Sequence, residues 1–184
     1  QYDAYVQPEV DWVRYAKFPD VPDSVLQFRQ IEPSRAKFFG VKWDPEEKAT
    51  IVPITSPLGE LRGWQAKKTG WVRNRPEGVN KSTTLFGIER AFGDVGVLLE
   101  SPLDVPRFHS AYEGDISAVS SFGANVSDEQ IRLLTTKFSK LILALDNDKA
   151  GAHETKRLLK KLPSFRLGRH VWEDAADAPK DSGE

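Results

Sequence analysis

The sequence runs VGVLLESPLD over residues 95–104 and LILALDNDKAG over residues 141–151, and these two stretches indicate the architecture of the chain. Each is a continuous apolar run that ends in carboxylates. Such a run is typical of a strand that is covered on both faces of a parallel sheet. Because helix-like segments separate the runs, the pattern predicts a parallel sheet with right-handed crossovers.

Local signals extend this pattern over the second half of the chain. Ser127 and Gln130 form the capping-box pair that begins one of the helices, and Pro106 is compatible with a helix only in its first turn. We predict strands at 95–99, 116–120, 141–145 and about 169–172, and helices at 103–112, 127–137 and 150–162.

The first half of the chain has a different composition. The β-branched run at 49–55, a turn at 56–59 and the run at 60–66 predict two strands joined by a turn. The polar and basic stretch at 67–84 predicts an irregular loop. We expect Ser34 to cap a short helix. The predicted organisation is a helical or extended segment at 1–33, a basic α+β subdomain at 34–92 and an α/β domain at 93–184.

Composition excludes several classes of protein. The 184 residues contain no cysteine, so disulfides, thiol nucleophiles, iron–sulfur clusters and cysteine-based zinc sites are ruled out. The three histidines lie far apart in the sequence. No apolar run exceeds five residues, whereas a membrane helix needs about 20. Methionine is also absent, and we expect the chain to be a trimmed fragment with flanking domains outside it.

The net charge of −1 conceals a strong segregation of charge along the chain. Residues 60–92 carry a net charge of +4, residues 93–131 carry −6, and residues 132–170 carry +7. One interpretation is a set of solvated helix faces. The other is a group of carboxylates that hold metal ions, flanked by basic surfaces that hold phosphates.

Four acids follow the two apolar runs, namely Glu100, Asp104, Asp146 and Asp148. If the two strands are neighbours, these acids share one edge of the sheet, where ligands of such sheets collect. Their mutual repulsion then calls for cations, and oxygen ligands without histidine or cysteine favour Mg²⁺ or Mn²⁺. The alternative is that Asp148 caps the following helix and Glu100 is a solvated loop residue.

Other catalytic motifs are missing from the sequence. It has no glycine-rich lysine loop for nucleotide phosphates, no dinucleotide fingerprint and no serine elbow. His109 lies among aromatic residues, which favours a packing role.

Glu100 to Asp104 followed by Asp146 to Gly151 resembles the signature of the Toprim (topoisomerase–primase) domain. The version in which Ala-Gly follows Asp-x-Asp-x is most similar to DnaG-type primases of bacteria and phages. Ser101 stands where that family usually has glycine. Upstream, residues 51–64 and 80–87 resemble the primase segments that precede Toprim, so that the likeness covers roughly residues 34–184.

This resemblance implies an α/β fold in which a Toprim parallel sheet flanked by helices follows a smaller α+β subdomain. It further implies a DNA primase catalytic core, a DNA-directed RNA polymerase that makes short RNA primers on single-stranded DNA by metal-dependent nucleotidyl transfer. The implied cofactors are two or more Mg²⁺ or Mn²⁺ ions, with no zinc in this chain. The implied partners are the template, ribonucleoside triphosphates, a replicative helicase and a zinc-ribbon domain outside the chain. The implied location is the cytoplasm, with no membrane association.

The resemblance also assigns roles to individual residues. Asp146 and Asp148 would hold metal with help from Asp104 and Asp181, and Glu100 would join the metal shell or act as a general base. Asp174 and Asp177 are rivals of Asp181 for the acid after the last strand. Basic residues would contact phosphate or nucleic acid, with Lys67 and Lys81 the stronger candidates and Lys68, Arg73, Asn74 and Arg75 the weaker ones.

Three other functions remain open from the sequence. A Toprim nuclease would use the same acids to cut phosphodiesters. A topoisomerase would need a nucleophilic tyrosine, for which the sequence shows no recognisable setting. A catalytically silent nucleic-acid-binding module is the third alternative. Trp64 and Trp71 would stack on bases in a nucleic-acid complex or pack in a core.

Overall fold

A computed structural model of the chain describes residues 6–162 and a strand at residues 166–169. These residues form an α/β fold with one antiparallel and one parallel sheet, each of four strands. Its helices are α1 (Trp12–Lys17), α2 (Asp23–Phe28), α3 (Pro33–Phe38), α4 (Asp104–Ala111), α5 (Asp128–Lys137) and α6 (Lys149–Lys161). Its strands are β1 (Lys42–Asp44), β2 (Ala49–Thr55), β3 (Leu61–Lys68), β4 (Trp71–Arg75), β5 (Val95–Leu99), β6 (Ile116–Ser120), β7 (Lys140–Leu143) and β8 (Arg166–Arg169).

The parallel sheet has the strand order β6-β5-β7-β8. The chain leaves β5 to form β6 on one side and returns to form β7 on the other, so the order reverses at β5. Leu98 pairs with Leu143, and this register places the residues after β5 and β7 side by side. A crevice at the carboxyl ends of strands where the order reverses is the usual ligand site of such sheets.

Both faces of the parallel sheet are covered. Leu98 and Leu143 pack on one face with Leu134 of α5 and Leu158 of α6. On the opposite face, Val97 belongs to a second cluster that includes residues from α2, α3, α4 and β2. The continuous apolar runs of β5 and β7 are explained by this double burial.

The antiparallel sheet has the order β1-β2-β3-β4. The prediction of an irregular loop over residues 67–84 is wrong at its start, because β3 continues to Lys68 and β4 follows at Trp71–Arg75. A two-residue turn connects them, and Gly70 adopts the left-handed conformation (φ 67°) that such a turn favours. The edge strand β4 is basic and half-solvated, so an apolar pattern could not reveal it.

The other predicted elements of the described residues are found within a few residues of their expected bounds. The capping box of Ser127 and Gln130 is confirmed. The last strand lies at Arg166–Arg169, slightly earlier than expected. Helix α3 begins at Pro33 with Glu32 as its N-cap, so Ser34 lies inside the helix. The division of the chain at residues 33 and 92 stays a prediction. Within the described part of the chain, no helix has the length and hydropathy of a membrane span.

Candidate active site

The structure brings Glu100 and Asp146 together at the carboxyl ends of β5 and β7. The amide of Ala144 donates to the carbonyl of Leu98 at 3.0 Å and extends the pairing of the strands past β7. Beyond this bond, Oε1 of Glu100 accepts the backbone N–H of Asp146 at 3.2 Å. The hydroxyl of Ser120 donates to the carbonyl of Glu100 at 2.7 Å and holds its backbone. The predicted adjacency of the two acidic turns is confirmed.

Close packing explains why residue 151, in the first turn of α6, is a glycine. A Cβ atom at this position would lie 2.2 Å from the carbonyl oxygen of Asp146 and 2.9 Å from Oε1 of Glu100. Both distances are far below van der Waals contact. The first turn of α6 can therefore pack against the Glu100 carboxylate only if residue 151 has no side chain.

Asp148 caps the helix that follows it, which is one of the two roles that the sequence allowed. Its Oδ1 accepts the backbone N–H of Gly151 at 2.8 Å, which makes Asp148 the N-cap of α6. One carboxylate oxygen is thus engaged by the helix. Asp104 lies in the first turn of α4, where its charge faces Lys67 and Arg29. We refer to Glu100, Asp104, Asp146 and Asp148 together as the acidic edge.

Crowding of carboxylates changes the protonation of Glu100. Burial, followed by the charge of Asp146, raises the pKa of Glu100 from 4.5 to about 7. Asp148 and Glu154 add smaller repulsions of the same sign. Without a cation, the acidic edge therefore disfavours the fully ionised state of Glu100.

The donor chemistry of the acidic edge suits a hard divalent cation, because its side-chain donors are carboxylate oxygens that repel one another. The described residues do not, however, include three or more acidic or histidine side chains gathered closely enough to form a metal-binding group. Asp181, the predicted third acid, and its rivals Asp174 and Asp177 lie outside the described residues.

Lys67 reaches the acidic edge from the antiparallel sheet. Its Nζ donates to the hydroxyl of Ser101 at 2.9 Å, directly beside Glu100. Burial lowers the pKa of Lys67, while the charges of Asp104 and Asp146 oppose this effect. The ammonium group thus lies among carboxylates at the junction of the two sheets.

Lys81 is the second predicted basic residue near this junction. Its Nζ donates to the carbonyl of Phe122 at 3.4 Å, and burial lowers its pKa. The charge of Lys81 is near enough to Lys67 to lower the pKa of Lys67 further. Lys81 is thus held near Lys67, and Lys67 lies beside the acids.

Gln130 supports the loop that carries Lys81. The buried amide nitrogen of Gln130 donates to the carbonyls of Lys81 at 3.2 Å, Thr84 at 2.8 Å and Ser121 at 3.1 Å. Its Oε1 accepts the N–H of Ser127 at 2.9 Å. A capping residue of α5 therefore also joins the Lys81 loop to the end of β6.

Arg29 is a site residue that the sequence analysis missed. It follows α2, burial lowers its pKa, and the charge of Asp104 opposes that effect. Arg29 also lines a cavity of about 310 Å³. Lys67, Lys68, Lys48, Trp43 and the largely exposed Phe28 are further lining residues of this cavity. No local motif marks Arg29, because its partners come from distant segments.

Lys68 and Arg73 are placed differently from Lys67. Strand residues alternate between faces, so Lys68 lies opposite Lys67, and the pairing of Ala66 with Arg73 puts Arg73 on the Lys68 face. Both cations lie over the ring of Trp71, at 4.9 Å and 5.3 Å. Arg73 also forms an ion pair with Glu47 at 3.8 Å. The structure does not bring Arg73 to the acidic edge.

The two tryptophans considered for base stacking are both engaged within the protein. Trp64 is only 4% exposed and packs against Tyr15 and Phe18. Trp71 is flanked by the cations described above. His109 is buried among Phe39, Phe92 and Phe108, which confirms its packing role.

Comparison with known proteins agrees with this architecture. Residues 97–181 match the family model described as Toprim-like. No curated protein sequence matches the chain. Several solved structures are similar, among them the following three. A DnaG primase catalytic domain bound to single-stranded DNA has a TM-score of 0.72 and 17% identity, with coverage of 90% of this chain and 70% of that one. The primase fragment of the bacteriophage T7 primase-helicase protein has a TM-score of 0.69 and 18% identity, with coverage of 91% and 74%. The Aquifex aeolicus primase, with its zinc-binding and RNA polymerase domains, has a TM-score of 0.64 and 19% identity.

Residues 97–181 are therefore similar to Toprim-like domains, and the fold of the chain is that of DnaG-type primase catalytic cores. The match to the Aquifex protein includes 80% of this chain but only 48% of the Aquifex chain. The chain is thus similar to a part of that longer primase.

Proposed function

We propose that the chain is the catalytic core of a DNA primase, which joins ribonucleotides into short RNA primers on single-stranded DNA. The observation that carries this proposal is the meeting of the acidic edge with Lys67, Lys81 and Arg29 at the junction of the two sheets. Carboxylates beside convergent cations suit a reaction in which a metal-bound triphosphate is attacked and its charge is neutralised.

The acids would hold Mg²⁺ or Mn²⁺. Asp146 and Glu100 are in contact, and Asp148 can offer the oxygen that does not cap α6. Asp104 and Asp181 complete the proposed set. A bound divalent ion would supply positive charge for the triphosphate and for the phosphoryl group in transfer.

The cations have a distinct task in this proposal. Lys67, Lys81 and Arg29 would bind phosphate oxygens of the incoming ribonucleotide, as charge-assisted hydrogen bonds do elsewhere. Ser101 holds the ammonium of Lys67 beside Glu100. In the metal-bound protein Glu100 would be a ligand, or it would take the proton of the attacking 3′ hydroxyl.

The template strand would enter along the cavity next to Lys67. That cavity combines Arg29, Lys48 and Lys68 with the exposed ring of Phe28. Cations beside an accessible aromatic ring are a usual arrangement for single-stranded nucleic acid. Lys68, which lines this cavity from the other face of β3, and Arg73, which lies outside the cavity, would contact the strand more weakly. This binding should weaken as salt rises.

Further domains would complete the enzyme. One similar protein contains a zinc-binding domain and another is a primase-helicase. We therefore propose that a zinc-ribbon domain and a replicative helicase, both outside this chain, assist template selection and movement along DNA. The proposed location is the cytoplasm.

The test is primer extension by the purified chain, with Asp146→Asn as the diagnostic variant. Single-stranded DNA with an annealed RNA starter, labelled ribonucleotides and Mg²⁺ or Mn²⁺ would be resolved on one gel. The starter bypasses initiation, which the zinc ribbon would assist. The matched control is Asp128→Asn, because Asp128 is exposed on α5 and pairs only with Lys161 among the described residues.

We expect extension by the wild type and the control and none by Asp146→Asn. Cutting of DNA without extension would favour a Toprim nuclease. If the folded wild type binds DNA but neither extends the starter nor cuts DNA, that result would favour a silent binding module.

A further inference from the structure

Strand β6 carries two buried serines, and both of their hydroxyl groups are hydrogen-bonded. Ser117 is the second residue of the strand and Ser120 is the last, and both are at most 1% exposed. Each hydroxyl donates one hydrogen bond and accepts another. Buried polar side chains are usually paired in this way. The two serines differ in the segments that they join, and this difference indicates different roles.

Ser117 bonds to a single residue at the amino ends of the parallel strands. Its hydroxyl donates to the carbonyl of Phe92 at 2.9 Å and accepts the backbone N–H of the same residue at 2.8 Å. Phe92 precedes β5, so this pair of bonds lies at the end of the sheet away from the acidic edge. Ser117 therefore stabilises the fold without reaching the proposed site.

Ser120 joins two segments that both lead to the proposed site. Its hydroxyl donates to the carbonyl of Glu100 at 2.7 Å and accepts the backbone N–H of Phe122 at 3.1 Å. Glu100 follows β5 and belongs to the acidic edge, whereas Phe122 belongs to the turn after β6. One buried hydroxyl thus holds the backbone of an acid and the backbone of the neighbouring turn.

The turn after β6 has an uncommon backbone conformation at Phe122. Its φ angle is 63°, in the left-handed region that bulky residues rarely adopt. The buried ring of Phe122 packs edge to face against Phe86, with 6.0 Å between the centroids. A residue keeps such a conformation only where the surrounding contacts hold it. The bond from the N–H of Phe122 to Ser120 is one of these contacts.

The carbonyl group of Phe122 accepts a hydrogen bond from Lys81, at 3.4 Å from its Nζ. Because the direction of a carbonyl group follows from the backbone dihedrals of its residue, the conformation of Phe122 determines where this acceptor lies. The backbone of Ser120 also exchanges two hydrogen bonds with Phe86, which follows Lys81 on the same loop, at 2.9 and 3.1 Å. Ser120 is therefore connected to Lys81 as well as to Glu100.

We propose that Ser120 is a positioning residue, whose hydroxyl places Glu100 for a divalent cation and the Phe122 carbonyl for Lys81, and through Lys81 the triphosphate. This inference rests on the proposed function, which assigns the cation to Glu100 and the phosphate to Lys81. Ser120 is fully buried, so it contacts neither ligand itself. Loss of its hydroxyl removes one partner from each of the two backbone groups and loosens both.

The test compares Ser120→Ala with Ser117→Ala as the matched control. Both substitutions remove a buried hydroxyl from β6 together with one donated and one accepted hydrogen bond, so both should lower Tm by similar amounts. Isothermal titration of each purified protein without DNA then gives two affinities that a merely structural role would not change. The first is for Mn²⁺ alone, and the second is for adenosine triphosphate at saturating Mn²⁺.

We expect Ser117→Ala to bind both ligands within about twofold of the wild type. Ser120→Ala should bind each of them about three- to tenfold more weakly, which is the effect of losing about one buried hydrogen bond. The Mn²⁺ affinity falls because Glu100 is displaced, and the triphosphate affinity falls because Lys81 is displaced. Ser120→Cys keeps the size of the side chain but is only a weak donor and acceptor, so it retains the test if Ser120→Ala unfolds.

The inference is overturned if the folded Ser120 variant stays within about twofold of Ser117→Ala in either affinity, or if the wild type binds neither ligand. Failure of the proposed function has a different signature, because it is a wild type that does not extend the annealed starter, whatever the affinities of the two serine variants.

Discussion

Replacing Glu100 by glutamine is expected to stabilise the metal-free protein at pH 8. The ordinary pKa of this carboxyl group is 4.5, and burial beside Asp146 raises it to about 7 in the folded chain. Below pH 4.5 the group is protonated in both states and has no effect. As the pH rises through 7, the folded state must ionise a carboxyl that the unfolded chain ionises more readily, so stability is lost.

The magnitude follows from the shift in pKa. A shift from 4.5 to about 7 corresponds to an upper limit of roughly 3.4 kcal/mol at about 1.36 kcal/mol per unit. Solvent and screening at the open acidic edge reduce this value, and we expect a gain of about 1–2 kcal/mol for Glu100→Gln at pH 8. Glutamine retains the Oε1 that accepts the N–H of Asp146. For a chain of this length the gain would raise Tm by roughly 2–8 °C.

The assay is chemical denaturation of both proteins in EDTA at pH 4.5 and pH 8. The difference in unfolding free energy should be near zero at the lower pH and should favour the variant at the higher pH. Millimolar Mg²⁺ at pH 8 should narrow the difference, because a ligand that binds the folded wild type stabilises it. Glu46→Gln, at an exposed glutamate of the other sheet, is the matched control. A variant less stable than the wild type at pH 8, or an equal gap at both pH values, would refute the reasoning.

Three further substitutions probe the support of the site. Gly151→Ala places a Cβ 2.2 Å from the carbonyl oxygen of Asp146, so we expect a loss of about 1–3 kcal/mol in denaturation and reduced extension; unchanged stability would contradict the close approach. Gln130→Ala removes a buried amide whose two N–H donors serve three backbone carbonyls, and we expect a loss of about 3 kcal/mol or more by the same measurement; a loss below about 1 kcal/mol would show that water replaces the amide. Ser101→Gly removes the acceptor of the Lys67 ammonium, and we expect KM for ribonucleotides in the extension assay to rise up to about tenfold while kcat changes less; an unchanged KM would mean that Lys67 needs no such support.

Much of the parallel sheet was predictable because its signals are local. An apolar run of five residues that ends in a carboxylate specifies a buried strand and the polar edge after it, and neither inference needs a distant partner. Asp148 shows the limit of such signals. Its position after a strand is equally suitable for a helix cap and for a metal ligand, and the observed bond to Gly151 establishes only the cap.

The antiparallel sheet shows why local signals fail at an edge. β4 is mostly polar and basic, and its pairing with β3 holds it in place. A solvated edge strand has no apolar alternation to detect. Residues 71–75, which the sequence predicts as part of a loop, therefore form a strand because they pair with β3.

The basic and polar residues that lie beside the acids also could not be predicted from local signals, because they come from distant parts of the chain. Lys67 and Ser101 are 34 residues apart, Gln130 and Lys81 are 49 apart, and Arg29 meets Asp104 from another helix. The two apolar runs, the acids that follow them and the class of fold can be predicted from the sequence alone. The burial that shifts each pKa, and the cations that lie beside the acidic edge, arise only when distant segments pack together, because burial and charge proximity are properties of the packed chain.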